Sequence, residues 1–245
     1  MHAMLVFLST IVTAAVAPAW PQFRGPEGSG VAPDYEKPPS QIGPGKNVKW
    51  KVAVPSGLSS PIIAGDRVFL TGFEGGKLLT LAYRCTDGAE LWRKEVPTKT
   101  IEPFMPTDGS PAASTPATDG NQLVVYFGSC GLVCYDMTGR ELWKHPMEVG
   151  EVRLGFGSGS SPVIADGRVI LLRDLEREGR LLCLDLTTGS PVWEASREGY
   201  MTSWDSPCLW RTPGGAQVVV GGGLRLEAHD LQTGRAIWTV SRLPW

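Results

Sequence analysis

The sequence predicts an all-β fold, a β-propeller of four-stranded antiparallel blades, on three observations. A Gly–Trp figure with an offset of four recurs as TDGAELW, MTGRELW, TTGSPVW and QTGRAIW, ending at Trp92, Trp143, Trp193 and Trp238. A Ser/Thr-Pro pair opens each unit, at Ser60-Pro61, Thr115-Pro116, Ser161-Pro162 and Ser206-Pro207, in steps of 55, 46 and 45 residues. That period suits one four-stranded blade. Gly (30) and Pro (20) make up about a fifth of the 245 residues. In short clusters they mean many turns rather than long helices.

Taken in order, the chain begins with MHAMLVFLSTIVTAAVAPAW. Residues 4–19 are apolar and uncharged but short for a membrane span. Ala17-Pro18-Ala19 fits a small-x-small cleavage site. Residues 1–19 are therefore expected to be a signal peptide, although its start lacks Lys and Arg. Export to the periplasm or the exterior is expected, with no transmembrane span after cleavage. No Cys lies near the cleavage site, so no lipid anchor is expected. Residues 20–46 read as an N-terminal extended segment and residues 47–245 as the propeller domain. Within it, residues 47–54 around Trp50 read as a lone outer strand. Blades are expected at about 59–96, 114–147, 160–197 and 205–241.

The third unit shows the logic of a blade. SPVIAD is a short inner strand, and Asp166-Gly167 signals a tight hairpin. RVILLR is the second strand, DLEREG a polar loop, and RLLCLDL an alternating third strand; Thr188-Gly189 then turns the chain into PVWEAS. Pro at the start of an inner strand removes no interior ladder bond. Gly88, Gly139, Gly189 and Gly234 are expected to supply positive φ at the turn before the outer strand. Asp185 or Thr188 can hydrogen-bond that turn's backbone. Trp92, Trp143, Trp193 and Trp238 then fall on outer strands, where each ring can cover the joint with the next blade. A buried Trp hides about 150–250 Å², worth up to ~5 kcal/mol as an upper estimate. These residues read as blade-joint structure, not as a substrate platform.

The motifs also carry a resemblance. AHDLQTGRAIW, residues 228–238, resembles the tryptophan-docking motif of the quinoprotein (PQQ-type) β-propellers, Ala-x-Asp-x-x-Thr-Gly-x-x-x-Trp. CLDLTTGSPVW carries Cys183 in the Ala slot, CYDMTGRELW is one residue shorter, and AYRCTDGAELW keeps the second half. With WPQFRGPEGSG, FGSGSSP and YFGSCGLVCYDMTG, the chain resembles exported bacterial PQQ-like repeat proteins over nearly all of its mature length. The resemblance implies a ring of about eight blades, of which about four are present. The strand around Trp50 would finish the last blade. Residues 20–245 made alone are accordingly expected to self-associate.

The dehydrogenases of that family hold PQQ beside Ca²⁺, with a disulfide between adjacent Cys, a Trp floor and a catalytic Asp. No two Cys are adjacent here, and Trp204-Asp205 is the only local pair that matches that chemistry. Packing of Trp204 in a loop beside a turn-forming Asp205 accounts for the pair structurally. The reading is an exported, non-catalytic scaffold that binds a protein or a small molecule, with no cofactor. The alternative is a PQQ- and Ca²⁺-dependent dehydrogenase of alcohols or sugars.

The remaining features narrow the function further. A net charge of −2 gives no basic surplus for nucleic acid. The five Cys, at 85, 130, 134, 183 and 208, cannot all pair within the chain. Cys130 and Cys134 are expected to lie roughly 13 Å apart along an extended segment, too far for a disulfide. Cys134, Cys183 and Ala228 share one repeat slot, which reads as a small packing position. Gly155 to Gly159 matches no phosphate loop, G-x-S-x-G is absent, and the three His are scattered. No catalytic residue or metal site is expected, and His229 reads as an outward strand residue. The loops near 97–113, 147–159, 174–180 and 197–204 should share one face. Its candidate contacts are Arg153, Arg173, Asp174, Trp204 and Asp205.

Overall fold

A computed structural model describes residues 19–32, 37–199 and 201–243. The expected signal peptide, apart from Ala19, lies outside them. A two-residue strand, β1 (Ala19–Trp20), precedes four antiparallel meanders. Blade 1 is β2 (Ile62–Ala64), β3 (Arg67–Glu74), β4 (Lys77–Arg84) and β5 (Glu90–Val96). Blade 2 is β6 (Ala117–Thr118), β7 (Gln122–Phe127), β8 (Gly131–Asp136) and β9 (Glu141–Pro146). Blade 3 is β10 (Val163–Ala165), β11 (Arg168–Asp174), β12 (Gly179–Asp185) and β13 (Pro191–Ser196). Blade 4 is β14 (Cys208–Thr212), β15 (Gly215–Gly222), β16 (Arg225–Asp230) and β17 (Ala236–Ser241). The fold is thus an all-β, propeller-like array of about four blades.

The core lies in the joints between blades. Ile62, Phe69 and Leu78 of blade 1 meet Leu123, Val125 and Val133 of blade 2. Val124, Leu132 and Trp143 meet Val169, Leu171 and Leu184 at the second joint. Ile170, Leu172 and Leu181 meet Leu209, Val218 and Val220 at the third. Middle strands are covered on both faces, so β7 and β11 read as continuous apolar runs, whereas half-exposed outer strands such as β13 alternate.

Each joint repeats one geometry. Trp92 Nε1 donates to Met137 O at 3.1 Å, Trp143 Nε1 to Leu186 O at 2.8 Å and Trp193 Nε1 to Leu231 O at 2.9 Å. Each ring lies against the turn glycine of the following blade, Gly139, Gly189 or Gly234, all at positive φ. Asp136, Asp185 and Asp230 brace these turns by accepting backbone and hydroxyl bonds from Thr138, Thr188 and Thr233. Those bonds hold all three carboxyls below the ordinary value, led by the Thr138 hydroxyl, the Thr188 amide and the Thr233 hydroxyl respectively. The segment 47–54 forms no ladder, yet Trp50 sits on Gly88 and donates to Cys85 O at 2.8 Å. Ala82, Cys134, Cys183 and Ala228 are the direct cross-strand partners of the four outer-strand Trp residues. A wide ring opposite explains why that slot stays small.

A second interblade ladder runs along the inner strands. Ser60 N donates to Thr115 Oγ1, Thr115 N to Ser161 Oγ and Ser161 N to Ser206 Oγ, at 2.9, 3.0 and 2.9 Å. In blades 2 to 4 the residue before the proline thus joins its blade to the preceding one. Its hydroxyl accepts the bond that an apolar residue there would leave unmade.

Candidate functional site

The loops between blades and the turns between second and third strands of each blade lie at one end of the array. Glu102, in the loop after blade 1, is only 2% exposed. Its amide donates to Ser129 Oγ, and its Oε2 accepts from Ser158 N at 3.0 Å and Ser158 Oγ at 2.7 Å. Its Oε1 has no hydrogen-bond partner among the described residues. Burial pushes this carboxyl above its ordinary value against the lowering effect of the Ser158 bonds. Glu102 therefore ties the loop after blade 1 to blade 2 and to the lead into blade 3.

Above it, Trp204 donates from Nε1 to Gly157 O at 2.8 Å and meets Phe156 edge-on at 5.9 Å. Gly159 has no side chain because a Cβ there would lie 2.8 Å from Trp204 Cδ1. Trp204 remains 42% exposed. It borders an open groove of about 380 Å³ with Leu58, Ser110, Ala113, Phe156 and Ser158 on its walls. Leu154 projects nearby at φ 56° and is 73% exposed.

The five sequence candidates divide by burial. Arg153 and Trp204 are at the surface. Asp205 is also exposed, but its carboxylate accepts from Gly221 N at 2.6 Å. Arg173 and Asp174 lie beneath the surface. Arg173 pairs with Glu178 at 3.1 Å and donates to Glu148 O. Asp174 takes two bonds from Arg197, at 2.8 and 3.0 Å, and Arg197 also reaches Glu227 and Gly221 O in blade 4. Burial raises the Asp174 carboxyl, and Arg197 opposes that shift. These two residues brace blade 3 against its loops and against blade 4.

His229 corrects an expectation. It is buried, with Nδ1 3.0 Å from Gly234 O and Nε2 3.3 Å from Glu227 Oε2. It occupies the slot of Tyr83, Tyr135 and Leu184, one residue past the partner of the Trp, which in every blade is buried. Sequence reasoning also missed Glu102 and Arg197. Glu102 stands in IEPFMP, where its apolar neighbours are the one available hint. The repeat offers no hint for Arg197, whose position after the outer strand varies between blades.

Calcium takes six to eight oxygen ligands, several from carboxylates. The carboxylates of Glu102, Asp205 and Asp174 are turned to Ser158, Gly221 N and Arg197 rather than toward one another. Among the described residues no three His, Cys, Asp or Glu side chains stand together as a metal site. Glu102, Asp174 and Asp205 therefore do not fit a Ca²⁺ site.

Residues 79–242 match the family described as outer membrane protein assembly factor BamB. The outer membrane protein assembly factor BamB of Kangiella koreensis is 29% identical over 173 residues, covering 66% of this chain and 37% of that protein. In fold the chain is similar to a quinohemoprotein alcohol dehydrogenase from Comamonas testosteroni (TM-score 0.65, 16% identity, 95% of this chain and 42% of that one). A europium-containing methanol dehydrogenase is also similar (TM-score 0.58, 16% identity, 79% and 43%). At that identity the likeness is one of fold, and the chain spans less than half the length of each of these proteins. With the interblade joints and the matched span together, the chain belongs to the BamB family of PQQ-like repeat β-propellers.

Proposed function

We propose that this chain is an exported, non-catalytic scaffold whose loop face receives a protein partner. The observation that carries the reading is Leu154, a large apolar side chain held at positive φ and mostly exposed. Non-glycine residues at such φ are uncommon and costly, and this one packs into no core. Leu58, Met105, Met201 and Trp204 are also exposed large apolar residues of this face. Apolar groups gathered at one end favour a protein surface as occupant. Beneath them the polar groups Glu102, Arg173 and Asp174 are engaged in internal bonds. The BamB relative, an assembly factor by name, supports a binding role over turnover. The apolar N-terminus and its cleavage site support export.

The test compares the wild-type chain with a Leu58→Asp, Leu154→Asp, Trp204→Ala variant of unchanged circular dichroism and melting temperature. Cross-linking in a cell-envelope fraction should give a discrete adduct with the wild type and none with the variant. Dye reduction is assayed in parallel with added PQQ and Ca²⁺ across alcohols and sugars. Turnover that disappears in Asp205→Asn would replace the scaffold reading with a dehydrogenase. N-terminal sequencing of the protein from the envelope should begin at Trp20.

A further inference from the structure

The stretch WPQFRGPEGSG, residues 20–30, joins the blade 1 sheet only through Trp20 and touches the inner strands of all four blades. β1 pairs with β2 of blade 1, Ala19 opposite Ala64 and Trp20 opposite Ile63. Pro21 O accepts from the Thr118 amide in blade 2 at 2.9 Å. Gln22, 2% exposed, accepts through Oε1 from the Ile164 amide in blade 3 at 3.1 Å. Glu27 pairs with Arg211 of blade 4, which also holds Asp166 of blade 3. Gly28 packs on Pro207 O and Cys208, where a Cβ would come within 3.2 Å.

The sequence is suited to this path. An inner strand is hydrogen-bonded to the second strand on one edge only, and its other edge faces the axis with backbone groups to satisfy. Here the segment supplies acceptors to two of those amides from one backbone carbonyl and one buried amide side chain. Between anchors it turns sharply: Gly25 N bonds Gln22 O, Gly28 N bonds Gly25 O, and Gly30 N bonds Arg24 O. The Trp20 ring lies on Gly25, where a Cβ would be 2.6 Å away. All four anchors sit toward the ends of the inner strands nearest the hairpin turns, opposite the loop face.

We infer that residues 20–30 are a clamp, one cooperative unit that ties the inner strands of the four blades together at the turn-side end. If it acts as a unit, loosening it in one blade loosens it in another. Hydrogen exchange on the full chain reads this directly. In Gln22→Ala the lost acceptor belongs to Ile164, while the Thr118 amide in blade 2 keeps its own acceptor, Pro21 O.

The clamp requires Thr118 to exchange roughly tenfold faster in Gln22→Ala, as for local opening made about 1.4 kcal/mol easier. Val124 and Ile170, in second strands, should keep their rates. Glu27→Ala, which removes an exposed anchor two blades from Thr118, should speed the same amide about two- to fivefold, the range of an exposed ion pair. An unchanged Thr118 rate in Gln22→Ala would overturn the inference, because the anchors would then be independent. Equal acceleration of Val124 and Ile170 in both variants would also overturn it, because the segment would then be part of the blade core.

Discussion

The indole of Trp143, on the outer strand of blade 2, lies against Gly189 in the last turn of blade 3, within 2.5 Å of where a Cβ would stand. That glycine carries two separable requirements. One is its φ of 69°, and the other is the ring pressed on it.

Gly189→Ala should therefore cost more than Gly167→Ala. Gly167 has a similar φ of 73° but open space around its Cβ position. The backbone conformation alone costs about 1–2 kcal/mol, and overpacking adds about 1–3 kcal/mol. Equilibrium urea unfolding should place Gly167→Ala near the first figure and Gly189→Ala near the sum. Equal losses would mean that the ring moves aside without cost.

Arg197 is fully buried and joins Asp174 of blade 3 to Glu227 of blade 4. Arg197→Met leaves Asp174 buried without its main partner and should cost about 3–5 kcal/mol. Arg197→Met with Asp174→Leu should recover part of that loss, since the stranded charge is gone. A double variant weaker than the single one would show that shape, not charge, dominates this joint.

The carboxylates give opposite pH dependences. Asp185 lies below the ordinary value, so its contribution is complete above the unfolded value near 4 and fades as the pH falls through the folded one. Glu102 lies above it, so its burial penalty is full above the folded value and fades as the pH falls toward about 4. The deficit of Asp185→Asn should widen as the pH rises from acid toward about 4, and Glu102→Gln should gain on the wild type as the pH rises above about 4. Urea midpoints measured across those ranges decide both signs.

Blade 4 shows an apolar outer face. Trp210, 52% exposed, meets Trp238 edge-on at 6.2 Å, and the Trp238 N–H is held by Gln217 of its own blade. Residues 20–245 should associate in a concentration-dependent way, and Trp210→Lys with Val240→Lys should weaken that association. Light scattering of both proteins across a dilution series measures it. A wild-type monomer at every concentration would show that this face tolerates water.

The sequence made the joints legible because they repeat. Gly189 and Trp193 could be paired by offset, and the small slot of Cys134 and Cys183 by alignment of units. The offset concealed that Trp92, Trp143 and Trp193 reach the glycine of the next unit, contacts between residues about 45 apart in the sequence. The loop face was less legible. Arg173 and Asp174 end a strand next to a charged loop, which locally looks exposed; Asp174 is engaged by Arg197 from beyond the outer strand, and Arg173 by Glu178 and the Glu148 carbonyl. Glu102 belongs to no repeated pattern, and its burial depends on Ser129 and Ser158 from other units; His229 sits in a slot that is buried in every blade but changes residue type from unit to unit.

The hydroxyl ladder through Ser60, Thr115, Ser161 and Ser206 has a genealogical consequence. Each rung needs one hydroxyl and one amide from the same position of adjacent units. A unit copied or deleted whole therefore arrives with both halves of its connections. Blade number can drift by integers during descent without any joint being reinvented, whereas the clamp, which contacts each blade differently, is tied to one particular count.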